Sequence, residues 1–382
     1  MKVLELGKFY PPERGGIETL LKAWSEGFAK RGAEVDCVVA HGPQTPGSRW
    51  RTLRENRAGV RVHRLPSPME LFGVSLCPAY LGAARRFRPD LVHAHFPNPL
   101  ADLACLFTPR RIPVVLSWHS DIVRQKSVMA LYRPLQQALL RRATKVVVAT
   151  PFHLQYSSWL GPFSEKVEVI PFGLDLQRFG APDPEPEAVD RLRSKAQGRA
   201  ILLYVGRLVG YKGQRHAVTA LKSVPDAELW LVGKGPLEAG LRQQAAELGV
   251  ADRLRFFGDV ADNELPRFYR ACDLFVFPSE TPNEAFGLVQ VEAMACGKPV
   301  VACNLRSGVP YVCRDGETGL IVPPGDSERL ALAIRRLLAD KELARRLGGQ
   351  ARDRALREFE ESVMVERYLD LFRRLVAEAA HD

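Results

Sequence analysis

Two carboxylates eight residues apart, Glu284 and Glu292, lie in the run PNEAFGLVQVEAMACG. Paired acids suggest glycoside hydrolysis first, so their spacing is the test. On a single helix eight residues cover about 12 Å along the axis. Retaining glycosidases hold their two carboxyls about 5–5.5 Å apart and inverting ones about 6.5–9.5 Å, so hydrolysis is disfavoured. Gly287 between the two predicts a different layout, with Glu284 in a loop and Glu292 about two turns into the helix that follows. The amides around Ala285–Leu288 then form a helix start that attracts anions, with one acid beside it and the other further in. A nucleotide sugar carries hydroxyls at both ends of its diphosphate, and each hydroxyl wants an acceptor. A cap or a surface ion pair is the structural alternative for either acid.

Cations follow the same logic. Arg207 ends an apolar run, and Lys212 comes five residues later, just before Gly213 and a helical pattern. At a helix start, a planar guanidinium fork and a point-charge ammonium make a diphosphate clamp, and two solvated surface cations are the plainer alternative. Gly15 and Gly16 precede a helical pattern from Ile17, where a bare backbone lets phosphate approach. Their spacing is not the GxGxxG of a dinucleotide fold. VGKGP at 232–236 is a further glycine-rich turn. His93 and His95, two apart on a strand, point to one face, and no acidic third ligand is expected nearby, which argues against a metal pair. No Asp-x-Asp motif occurs either.

These residues must be positioned by the elements around them. Apolar runs at Lys2–Leu6, Glu34–Ala40, Val60–Leu65, Asp90–His95, Pro113–Trp118, Lys145–Ala149 and Val167–Ile170 alternate with helical patterns such as Ile17–Lys30 and Ser127–Leu140. The second half repeats the scheme at Ala200–Val205, Ala227–Val232, Arg253–Phe257, Leu274–Phe277, Pro299–Cys303 and Gly319–Val322. Strand–helix alternation with doubly buried strands predicts parallel α/β sheets. The expected fold is α/β, two Rossmann-like domains facing across a cleft, with ligands outside the carboxyl ends of the strands. The expected domains are 1–175 and 191–358, with a proline-rich linker at 176–190. A terminal helix in 359–382 is expected to return to the first domain.

Composition narrows the class. At 382 residues, 46% hydrophobic and 26% charged, the chain is a two-domain globular protein. No apolar run approaches the ~20 residues of a membrane helix, and no signal peptide stands out. Seven scattered cysteines without a CxxC pair favour a reducing, cytoplasmic setting. Through residue 180 there are 25 lysines and arginines against 14 acids, and beyond it 29 against 30. The excess, at Arg85-Arg86-Phe87-Arg88, Arg110-Arg111, Arg124-Gln125-Lys126 and Arg141-Arg142, is either a solvated surface or a patch for an anionic partner. A membrane surface or lipid phosphate fits such a patch better than nucleic acid, for which no motif is present.

Taken in order, Gly15-Gly16-Ile17-Glu18, His119-Ser120-Asp121, Pro171-Phe172-Gly173-Leu174-Asp175, Arg207 through Gly213, Val232–Pro236, Glu284 through Glu292 and Thr318–Pro323 resemble the family 4 retaining glycosyltransferases of the GT-B fold. The resemblance runs over nearly the whole chain. It implies a metal-independent hexosyltransferase with a nucleotide-sugar donor, a UDP-sugar or GDP-mannose, as a substrate rather than a cofactor. Arg207 and Lys212 would bind the diphosphate, with Gly15 and Gly16 approaching it. Glu292 would take the ribose hydroxyls, and Glu284 with the amides of Phe286, Gly287 and Leu288 would hold the sugar. His119 would lie at the reaction centre, with His95 and Asp121 toward the acceptor. The base is expected at backbone groups near Phe257–Val260. The loop from Cys303 to Tyr311 lacks the double glycine of many relatives and resembles a bacterial subgroup of surface polysaccharide and lipopolysaccharide assembly. The acceptor would then be a glycan or lipid-linked saccharide, with the enzyme cytoplasmic or peripheral on the inner membrane face. A phosphorylase, a sugar-nucleotide epimerase, or a noncatalytic nucleotide- or glycan-binding protein would use similar groups.

Overall fold

The computed structural model describes residues 1–13, 15–67, 69–71, 74–119, 121 and 126–381. Ser120, Arg124 and Gln125, named above, lie outside the described residues. Two units emerge, Met1–Leu174 with Glu361–Asp382, and Asp175–Glu360.

In the first unit the strands are β1 (Lys2–Leu6), β2 (Glu34–Ala40), β3 (Leu53–Arg57), β4 (Val60–Leu65), β5 (Met69–Leu71), β6 (Val74–Leu76), β7 (Leu91–Phe96), β8 (Val114–Trp118), β9 (Lys145–Val148) and β10 (Val167–Val169). Eight of them form one sheet in the order β10-β9-β8-β7-β1-β2-β4-β3. Only β3 runs antiparallel, against β4, while β5 and β6 pair as a separate hairpin. The parallel strands are almost wholly buried, as helices on both faces require. On one face the helix Gly16–Lys30 buries Trp24 and Phe28. The helix Glu361–His381 buries Tyr368 and Phe372 and brings both rings against Phe28. The terminal helix therefore returns to the first unit, as the sequence predicts.

The second unit carries β11 (Ala200–Val205), β12 (Ala227–Val232), β13 (Leu254–Gly258), β14 (Leu274–Phe277), β15 (Val300–Cys303) and β16 (Gly319–Val322). They form one parallel sheet in the order β13-β12-β11-β14-β15-β16. The strand order reverses beside β11, so the loops after β11 and β14 open at a topological switch point, where such sheets bind ligands.

The proline-rich segment differs from its expectation as a plain linker. Residues Gln177–Gly180 and Pro186–Arg193 are helical and belong to the second unit. Pro186 opens its helix, a position whose N–H has no partner within the helix. Asp183 just upstream is anchored by Arg270 at 2.8 Å. All seven cysteines are free thiols.

Candidate active site

In the second unit, β11 delivers the chain to Gly206 and Arg207. The Arg207 carbonyl accepts from the Tyr204 hydroxyl at 3.1 Å and from Gln214 Nε2 at 2.8 Å, which pins the turn and leaves the Arg207 side chain exposed. Gly213, between Lys212 and the helix Gln214–Ala220, has φ 67°. A Cβ there would stand 2.0 Å from the Pro278 carbonyl oxygen, so only glycine fits. The turn presses against the end of β14, and that brings Lys212 to Glu284. Lys212 Nζ donates to Glu284 Oε2 at 2.5 Å, and the Ser279 hydroxyl donates to the same oxygen at 3.1 Å. Phe277 and Tyr211 flank the ammonium at 5.6 and 5.5 Å. Two residues predicted as separate contacts thus form one ion pair, the arrangement opposite charges adopt at a partly buried site.

The helix after Glu284 is Leu288–Ala295, and Gly287 caps it with φ 77°. A Cβ at Gly287 would meet the Phe277 ring at 2.7 Å. Glu284 is therefore in the loop and Glu292 in the helix, as the sequence predicts. At this helix start the Gln290 amide already donates to the Gly287 carbonyl at 2.9 Å, and the amides ahead of it are of the kind that attracts anions. The Phe286 ring is buried against Phe359, with centroids 5.8 Å apart. Its carbonyl accepts from Gln290 Nε2 at 3.0 Å, which fixes the strand-to-helix turn. Glu292 accepts from the Tyr269 hydroxyl at 2.7 Å. Burial pushes its carboxyl up to about 7, against the lowering effect of that hydrogen bond.

In the first unit, Gly15 is extended and Gly16 opens the helix Gly16–Lys30. Both are exposed, and a Cβ on Gly16 would meet nothing within 4 Å. The fold does not demand glycine at 16; its absent side chain leaves the helix start bare. His119 follows β8 and is 6% exposed. Asp121 binds Trp118 Nε1 at 2.9 Å, the Ser157 hydroxyl at 2.8 Å and the Ser158 amide at 3.1 Å. Its carboxylate thus ties the loop after β8 to the segment at 157–158.

Two expectations about the histidine pair are corrected. An acidic group is near it after all, because β1 pairs with β7 and sets Glu5 opposite His93. Glu5 Oε1 lies 2.9 Å from His93 Nδ1, and Oε2 lies 2.9 Å from His95 Nε2; the ligand atoms of all three residues fall within 4.8 Å of one another. Sequence distance hid an acid that the sheet register supplies. His95 also does not border an open surface of its unit. It is 2% exposed and lies behind His119, with His95 Nδ1 3.3 Å from His119 Nε2. The network continues from His93 Nε2 to the Ser117 hydroxyl at 2.8 Å and from there to the Tyr368 hydroxyl at 2.7 Å. Burial holds His93, His95 and His119 down to about 3, which favours the neutral form of each ring. Burial also pushes the Glu5 carboxyl up, while the hydrogen bond with His95 pulls it back.

Glu5, Ser117, Tyr368, Ser279 and Tyr269 are absent from the sequence expectations. Only Glu5 left a trace, a charged residue inside the apolar strand KVLEL, where burial demands a partner.

Residues 188–354 match the family model of glycosyl transferases group 1, and residues 15–173 match that of a glycosyl transferase 4-like domain. The O-antigen chain mannosyltransferase C of Escherichia coli is 30% identical, over 98% of this chain and 99% of that protein. A GDP-mannose-dependent alpha-(1-6)-phosphatidylinositol monomannoside mannosyltransferase of Mycobacterium tuberculosis is 33% identical, over 92% of this chain and 93% of that one. Among solved structures, Anabaena HepE in complex with UDP matches with a TM-score of 0.79 at 24% identity, over 98% of this chain and 100% of that one. That last likeness is one of fold.

Proposed function

The chain belongs to the glycosyl transferases of group 1 and has their GT-B fold, and on that premise we propose that it transfers a hexose from a nucleotide sugar, with retention and without a metal, to a glycan or lipid-linked saccharide of the cell surface. The Lys212–Glu284 pair at the mouth of a helix start carries this reading. A cation for the diphosphate and an acid for sugar hydroxyls converge there, at the carboxyl ends of β11 and β14.

In this reading Arg207 and Lys212 neutralise the diphosphate as it departs, and in the first unit Gly15 and Gly16 are a helix start suited to phosphate. Glu284 and the amides from Phe286 to Leu288 hold the hexose, and Glu292 accepts from the ribose hydroxyls. His119 borders the reacting carbon, with Asp121 holding the loop that carries it on the acceptor side. No acid of these motifs is assigned as a covalent nucleophile, and the step proposed is a front-face one. The acceptor oxygen bonds to the anomeric carbon as the carbon–oxygen bond to the diphosphate breaks on the same face, and the hydroxyl proton passes to the departing diphosphate oxygen. The mannosyl activities of the two relatives favour GDP-mannose as donor and a lipopolysaccharide-type glycan as acceptor.

A thermal-shift series with GDP-, UDP- and ADP-sugars tests the donor half, since a ligand of the folded state stabilises it by mass action, about 2.7 kcal/mol at a hundred times Kd. GDP-mannose is expected to raise Tm and Lys212→Ala to abolish the rise. No rise with any nucleotide sugar would remove the assignment.

A further inference from the structure

On one face of the first sheet the odd-numbered residues of three adjacent strands line up. Glu5 of β1 is opposite His93 of β7, and His95 of β7 is opposite Ser117 of β8, with His119 just beyond. Alternation along each strand puts them all on one face, under Trp24 and Tyr368. A buried polar chain of this length needs one proton in every contact.

We propose that Glu5 and His95 are positioning residues that fix which nitrogen of His119 carries its proton. This rests on the reading of His119 as the residue beside the reacting carbon. Taken as a carboxylate, Glu5 only accepts, and it then takes an N–H from His93 Nδ1 and one from His95 Nε2. A neutral imidazole has a single N–H, which leaves His95 Nδ1 as a lone pair. Its contact with His119 Nε2 therefore makes His119 the donor, and His119 Nδ1 becomes the atom with the free electron pair. The other branch closes the same way. His93 Nε2 accepts from Ser117, and Ser117 accepts from Tyr368. Cys37, opposite Glu5 on β2, is the remaining titratable neighbour in register, and burial keeps it a neutral thiol. Trp24 stacks on the His95 ring at 4.8 Å and 26° between planes, which holds the ring in the orientation the relay needs. His119 thereby meets a substrate hydroxyl as an acceptor, with its tautomer set from a buried acid two hydrogen bonds away.

The test is direct. In the full chain labelled with 15N-histidine, long-range proton–nitrogen correlation at neutral pH is expected to show three neutral rings. His93 should carry its proton on Nδ1, and His95 and His119 theirs on Nε2. Glu5→Gln, whose amide brings hydrogens the carboxylate lacks, is expected to raise the Nδ1–H share at His119. In transfer assays His95→Leu is expected to lower kcat about ten- to hundredfold, by analogy with the loss of outer-shell partners at metal-bound histidines, with donor KM within about threefold. His95→Gln, which both accepts and donates, is expected to recover part of the loss. An Nδ1–H form of His119 in the unsubstituted chain overturns the proposal. So does a His95→Leu kcat within about twofold of normal while His119→Ala is inactive, and that outcome leaves the transferase reading standing. If no donor is turned over at all, the transferase reading fails, and the nitrogen spectrum still decides the tautomer assignment.

Discussion

Glu292 shows how a single residue can set a pH dependence. Burial raises its carboxyl to about 7, and for the proposed role at the ribose hydroxyls the ionised form is the better acceptor, because the protonated one carries an O–H on one oxygen. A raised carboxyl pKa means the ionised fraction grows as pH climbs through 7, from about a tenth at pH 6 to about nine-tenths at pH 8. Donor affinity is therefore expected to tighten about tenfold between those values. Glu292→Gln should flatten the profile, and titration calorimetry reads both; a flat profile in the unsubstituted chain contradicts the assignment. At this scale the sequence disclosed what type and spacing can encode. Arg207, Lys212, Glu284 and Glu292 lie within short motifs. Ser279 and Tyr269 bind Glu284 and Glu292 through contacts no local pattern marks, and Glu5 reaches His93 only through strand pairing.

Elements divide by how strongly their pattern is written. Doubly buried parallel strands are largely apolar and are legible to within a residue or so. The edge strand β3 reads LRENR and looks like a loop, because an edge exposed to water needs no apolar run. The helix Lys341–Glu358 is weakly written in the sequence because Gly348 and Gly349 interrupt a largely polar stretch. Its start is nevertheless capped by Asp340, whose side chain accepts from the Leu343 amide at 2.9 Å. The two glycine turns separate fold from function. Gly213→Ala forces a positive φ on a Cβ and drives it into Pro278, so a loss of about 1–3 kcal/mol is expected. Gly16→Ala enters open space and should leave Tm unchanged while weakening donor binding. Thermal unfolding with and without donor separates the two; a large Tm drop from Gly16→Ala would mean that its backbone serves the fold.

For the whole molecule, charge is the property most legible in the sequence and least absorbed by the fold. Arg85, Arg86, Arg88, Arg110, Arg111 and Arg141 are exposed. Arg142 instead donates to the carbonyls of Thr108, Pro109 and Ile112, so part of the excess is structural. No described helix is long and apolar enough to cross a membrane. The exposed cations are expected to give binding to anionic liposomes that falls steeply between low and physiological salt; equal binding to neutral vesicles would remove the membrane reading. The two-unit plan was visible in the repeated strand-turn-helix openings. The boundary was not, because prolines that break one helix can open the next. The central claim is tested most directly by supplying the purified chain with GDP-mannose and a lipid-linked saccharide and following nucleotide diphosphate release together with the anomeric configuration of the product. Release that requires the acceptor, a retained anomeric centre and a drop of about a hundredfold or more in Lys212→Ala are the expected results. Release without an acceptor, an inverted product, or a Lys212→Ala rate near normal would contradict the account.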